Sequence, residues 1–177
     1  PKFAPGPDAR RTAAILAIGG YLCSERGGRA LTTVELARYP KRHFSHGWRV
    51  LLSAPAEALC AVDVLVDGNF PYSAPRVATP LGPAALERPH VEADNLLCVF
   101  PQKTTISAFD PVGVAKELLA STEALFAHWQ QPSSSEDFRD EFLSYWPLAL
   151  DARAQSVVSL VSPNGPTRRI NVWRRGD

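Results

Sequence analysis

Apolar residues recur every three to four positions along the first part of the chain. From Asp8 onward, Ile15, Ile18, Gly19 and Leu22 fall on one face of a 3.6-residue repeat, with Leu16 and Cys23 beside them. Gly27-Gly28 ends this predicted helix. Strands are predicted over about 31–39 and over 48–52. A third strand alternates strictly, Cys60, Val62, Val64 and Val66 on one face against Ala61, Asp63, Leu65 and Asp67 on the other. Asp67-Gly68 supplies a turn. Phe70-Pro71-Tyr72-Ser73-Ala74-Pro75 then leads into a short extended run, 76–79. Residues 81–103 show little periodicity, and loops of that length in compact domains are often functional.

Asp110-Pro111 reads as an N-cap followed by proline at the first helical position. The helix it opens buries Ala115, Leu118, Leu119, Leu125, Phe126 and Trp129, and Pro132 breaks it. Ser133 and Glu136 form a candidate capping box for a further helix carrying Phe138, Phe142, Tyr145 and Trp146, which Pro147 stops. Two strands, 156–162 and 168–174, are predicted around Ser-Pro-Asn-Gly-Pro. The expected division is one domain over 1–150, then a linker and strand hairpin over 151–177 that open a following domain. Helix, three or four antiparallel strands, a long loop and two helices make an α+β fold with a meander sheet, not an alternating βαβ fold.

Composition narrows the function. A net charge of +1 over 177 residues argues against a nucleic-acid binder. The charge is uneven: residues 1–49 hold nine Lys or Arg against three acids. That is either a solvated basic face or a docking surface for an acidic protein partner. Three cysteines cannot all pair, and the patterns place Cys23 and Cys60 as buried small hydrophobes. A reducing cytoplasm is the expected setting. No stretch approaches the roughly 20 apolar residues that span a bilayer, and no signal peptide is visible. The absence of methionine, even at position 1, points to a processed chain or a piece of a longer one.

Three features follow one another in order: Phe70-Pro71…Pro75 after a strand, Pro89-His90 before Asn95-Leu96-Leu97-Cys98-Val99, and the helix start at Asp110-Pro111. In this order and spacing, residues 8–146 resemble the ubiquitin-conjugating enzyme family in its bacterial form. The family carries a Tyr-Pro-type turn, a His-Pro-Asn motif, an Ile/Leu-Cys-Leu active site and a following helix. The resemblance implies the conjugating fold and a thioester on Cys98. It puts His90 where the family has Asn, eight positions before the cysteine, so the chain reads Arg88-Pro89-His90. A histidine there can donate a hydrogen bond to an oxyanion, and it can also take or give a proton near neutral pH.

A thiolate suits acyl transfer because the new thioester resembles the old one and stays reactive toward an amine. Cys98 lies in an irregular segment beside polar Asp94 and Asn95, as a reactive thiol requires, although the flanking Leu96, Leu97, Val99 and Phe100 also fit a buried structural residue. His43 and His46 form an H-x-x-H pair without a nearby cysteine, which is weak as a metal signal, and no metal is expected. Trp129, Tyr145 and Trp146 read as core aromatics.

The segment 138–146 with the strands after it resembles the junction where bacterial conjugating domains are fused to a ubiquitin-activating-like domain in anti-phage operons. The resemblance implies an adenylating partner that uses the ATP, so this chain needs no cofactor of its own. The modifier would be a ubiquitin-like protein or a nucleotidyltransferase of the cyclic GMP-AMP synthase type. No nucleic acid or membrane partner is expected. Two alternatives stay open: a non-catalytic module that binds a ubiquitin-like protein, and a Cys–His hydrolase using Cys98 and His90.

Overall fold

The computed structural model describes residues 6–40, 42–54, 59–83, 87–92, 94–100, 106–131 and 137. Along them run α1 (Pro7–Gly20), a π-helical turn (Tyr21–Glu25), β1 (Arg29–Ala30), α2 (Thr33–Leu36) and β2 (His46–Ser53). Then come β3 (Leu59–Val66), β4 (Arg76–Ala78), β5 (Leu96–Leu97) and α3 (Pro111–His128). The five strands form one sheet in the order β1-β2-β3-β4-β5, every neighbouring pair antiparallel. This is the α+β meander that the sequence predicts.

Period-two patterning divides the sheet into two faces. Val62, Val64 and Val66 of β3 join Trp48, Val50 and Leu52 of β2 in the main core, which Ile18 and Leu22 cover from the α1 side and Leu118 and Phe126 from α3. Each buried aliphatic side chain contributes about 1.5–3 kcal/mol, so this face dominates stability. Asp63 and Leu65 point to the opposite face. Helix α3 starts as expected: the Asp110 side chain accepts from the Gly113 N–H, and Pro111 occupies the first turn.

The predicted strand over 31–39 is not there. Only Arg29 and Ala30 pair with β2 before the chain turns into α2. The cause is a capping box: Thr32 Oγ1 accepts from the Glu35 N–H at 3.3 Å, and Glu35 accepts from the Thr32 N–H at 3.0 Å. Leu31, Leu36, Tyr39 and Phe44 then fold onto Leu65, Ala78 and Leu96 on the second face of the sheet. Under them Asp63, fully buried, accepts two bonds from Arg49 at 2.7 and 2.8 Å and one from the Tyr39 hydroxyl at 2.9 Å. Burial, then the charge of Asp63, pushes the Tyr39 phenol above its ordinary range. Hydrogen bonds from Arg29, then from the Thr32 backbone, hold the Glu35 carboxyl well below the usual carboxylate range.

Two expectations for the first helical stretch fail. Leu16 and Cys23 are exposed, while Tyr21 is buried. The π-helical turn is wider than an α-turn, and it brings Tyr21 and Leu22 inward while Cys23 faces out. Gly27, at φ +63, stops the helix where predicted, and the Gly28 N–H closes on the Leu22 carbonyl at 2.9 Å. Cys60 is half-buried against the core, and burial pushes its thiol up. The helix predicted after Pro132, the terminal hairpin and the division at 150 lie outside the described residues, apart from Asp137. Among the described residues no helix is long and apolar enough to cross a membrane.

Candidate active site

The region without periodicity contains a short hairpin. Val91 bridges Leu97, the Glu92 N–H donates to Leu96 at 2.8 Å, and the Asn95 N–H turns back onto Glu92 at 2.9 Å. Asn95 takes φ +61, a left-handed conformation that Asn tolerates better than most residues. One strand later the Cys98 N–H donates to the His90 carbonyl at 2.9 Å. Residues 91 and 97 face each other, so 90 and 98 do as well. The eight-residue spacing is therefore the register of an antiparallel ribbon.

Both sides of this pair are anchored. Leu96 and Leu97 are buried on opposite faces of the sheet, Leu97 in the main core and Leu96 in the second cluster. Cys98 follows them and is exposed. Across the hairpin, Trp129 at the end of α3 donates its indole N–H to the Pro89 carbonyl at 3.0 Å, and Arg88 donates back to the Trp129 carbonyl at 3.0 Å. His90 sits between these bonds and the bond from Cys98 at φ +63, a conformation that persists for a non-glycine residue when its surroundings fix it.

A cavity of about 340 Å³ opens beside the thiol, lined among others by Arg42, Pro75, Arg76, Glu92, Cys98 and Phe100. Glu92 pairs with both Arg42 and Arg76, and Arg42 also reaches Asp94 at 3.5 Å. Asp94 is thus engaged by a surface arginine. On the other side of His90, its Nε2 stands 3.6 Å from Asp137 Oδ2, and that same oxygen meets His128 Nε2 at 2.7 Å. The turn before β4 contains a cis Phe70–Pro71 peptide, as well as the exposed Tyr72.

The family model for prokaryotic E2 family B matches residues 19–154, well over half of the chain. The protein belongs to prokaryotic E2 family B. No curated protein matches it, and neither does any solved structure. Membership accords with the helix–meander–helix architecture and supports a conjugating-type role for this E2-like domain.

The two predicted site residues, Cys98 and His90, are brought together. The His46 ring stacks on Trp48 with centroids 6.4 Å apart, and its Nδ1 contacts Ser45 at 3.2 Å. Trp129 is buried as expected but is also polar in action, since it holds Pro89. The sequence reading missed Asp137 and His128. Asp137 lies beyond Pro132, and nothing in its local pattern points back to a hairpin some forty residues earlier.

Proposed function

We propose that this protein is a cysteine-dependent conjugating enzyme. Cys98 accepts an activated protein C-terminus as a thioester and passes it to a lysine amine of a target. The observation that carries the reading is the exposed Cys98 held opposite His90 across a hairpin anchored on both sides, in a chain of an E2 family.

In the first step the Cys98 thiolate attacks the partner's thioester carbonyl, the new C–S bond forms, and the partner's sulfur leaves as thiolate. In the second the acceptor nitrogen attacks, the C–S bond breaks, and Cys98 regains a thiolate. A stable hairpin suits this because the acyl carbon must stand in a fixed place for both attacks.

The activated carboxyl comes from an adenylating, ubiquitin-activating-like domain that uses the ATP, fused to this one in the full-length protein. The modifier is a ubiquitin-like protein or a nucleotidyltransferase of the cyclic GMP-AMP synthase type, and the setting is cytoplasmic anti-phage defence in bacteria. Much of the basic N-terminal charge is engaged internally: Arg26 with Glu123, Arg29 with Glu35, Arg42 with Asp94 and Arg49 with Asp63. Arg10 stands instead on the surface, its guanidinium 4.9 Å over the Phe109 ring and 3.2 Å from the Tyr72 hydroxyl. Phe109 and Tyr72 are both exposed aromatics, and with Arg10 they form the docking patch we assign to the activating domain.

A partner-free test uses a short peptide ending in glycine, supplied as a small-molecule thioester. In a Cys23→Ser background, intact mass spectrometry is expected to show one thiol-sensitive adduct, mapped to Cys98 and lost when Cys98→Ala is added. Equal loading of Cys98→Ala would contradict the reading. Rapid loss of the peptide as free acid, with no transfer to added amine, would favour the hydrolase instead.

A further inference from the structure

The second step leaves a proton to be removed, since an attacking lysine must lose one as its N–C bond forms. Asp94, close to Cys98 in sequence, is engaged by Arg42 through its Oδ2 at 3.5 Å. The geometry points to Asp137. We infer that Asp137 is a positioning residue that holds the His90 imidazole as the proton acceptor for aminolysis at Cys98. This rests on the thioester reading given above.

His128 occupies the last turn of α3, and its Nε2 lies 2.7 Å from Asp137 Oδ2, a charge-assisted hydrogen-bond distance. That bond fixes the carboxylate. The same oxygen lies 3.6 Å from His90 Nε2, too long for a hydrogen bond but within ion-pair range. A carboxylate so placed stabilises the positive charge that forms when the imidazole takes a proton. All three side chains are partly shielded, 26% exposed for His90, 34% for His128 and 27% for Asp137, so the attraction is less screened than on an open surface.

The backbone makes the arrangement consistent. Trp129, the residue after His128, holds Pro89, the residue before His90, through the indole–carbonyl bond. The two histidines are therefore brought to one place by the same joint. Among the described residues no group of three or more His, Cys, Asp or Glu is arranged to hold an ion.

The acceptor nitrogen attacks the thioester carbonyl carbon, its N–C bond forms, and its proton passes to the His90 imidazole. The C–S bond breaks with its electron pair on Cys98 Sγ. The imidazolium then returns the proton to the thiolate or to water, restoring the resting enzyme. A histidine in this role takes a proton, which an asparagine at the same position cannot do.

The test uses the full chain with Cys23→Ser, loaded at Cys98 with the glycine-ended peptide thioester and then given free lysine. Asp137→Asn and His128→Gln are expected to load at the wild-type rate. Asp137→Asn is expected to discharge to lysine at least about tenfold more slowly, a fraction of what acid–base groups supply. Asp137→Glu restores most of that rate. Long-range nitrogen–proton NMR of the imidazoles gives a readout independent of loading: Asp137→Asn must move the ring signals of both His90 and His128. Wild-type discharge by Asp137→Asn, or unmoved His90 ring signals, would overturn the inference. Absence of any Cys98 adduct would count against the thioester reading instead, and the ring signals would still decide the contact.

Discussion

The indole N–H of Trp129 donates to the carbonyl of Pro89 at 3.0 Å, a buried bond between residues 40 apart in sequence. It ties the end of α3 to the strand that carries His90. Trp129→Phe keeps an aromatic ring but strands the Pro89 carbonyl inside the protein. A buried acceptor left without its donor costs about 1–3 kcal/mol. We expect the urea midpoint to fall accordingly at unchanged slope, and an unaltered midpoint would show that the bond contributes nothing.

Among the described residues Asp63 is the one fully buried carboxylate, and Arg49 is its main partner. Arg49→Met removes the countercharge and leaves the anion behind, a change that costs about 3–5 kcal/mol in buried pairs. Tyr39→Phe removes one of three bonds and is expected to cost about 1 kcal/mol. Equal costs for the two variants, measured by urea unfolding, would show that charge compensation is not what holds this face.

Much of the fold is legible in the sequence because it is written in local periodicity. The alternation from Cys60 to Asp67 fixes β3, and Asp110-Pro111 fixes the start of α3. The stretch 31–39 misleads because Leu31, Val34, Leu36 and Tyr39 suit either a strand or a turn of helix. The deciding signal was present: Thr32 and Glu35 stand three apart, as a capping box requires. The pattern places Cys23 inside and the structure places it outside, since a π-helical turn shifts the helical face without marking the sequence. His90 and Cys98 are singled out by the family resemblance, while their facing each other across a hairpin comes from the register of Val91 with Leu97. Asp137 and His128 were not legible, because tertiary packing alone brings them to the hairpin.

Glu35 makes stability depend on acidity. Its folded pKa is depressed by the Arg29 hydrogen bonds and then by the Thr32 N–H. A depressed carboxyl stabilises the fold above its unfolded pKa of about 4.3, and that contribution is lost as pH falls below it toward the folded pKa. Wild type is therefore expected to lose more stability between neutral pH and strong acid than Glu35→Gln does. Parallel losses in chemical unfolding at the two pH values would contradict this.

The three thiols differ in environment. Cys98 and Cys23 are exposed, while Cys60 is half-buried with its thiol pushed up by burial. Because the thiolate is the nucleophile, iodoacetamide near neutral pH is expected to label Cys98 and Cys23 first, with Cys60 at least about tenfold slower. Peptide mapping over time reads the order, and early labelling of Cys60 would sink it.

Arg10 and Arg11 adjoin in sequence but do different work. Arg11 donates to Ser45 at 3.1 Å in a partly buried contact, whereas Arg10 lies on the aromatic patch. Arg10→Glu is expected to slow charging by the activating domain while leaving the melting temperature near wild type. Unchanged charging by Arg10→Glu would remove the docking assignment.

The most direct test of the central claim is a charging assay. The domain is mixed with its activating domain, ATP and the candidate ubiquitin-like modifier, then run on paired reducing and non-reducing gels. The account predicts a shifted band that disappears on reduction, survives in Cys23→Ala and is absent in Cys98→Ala. A reducible band that persists in Cys98→Ala, or no band with a demonstrably active partner, would contradict it.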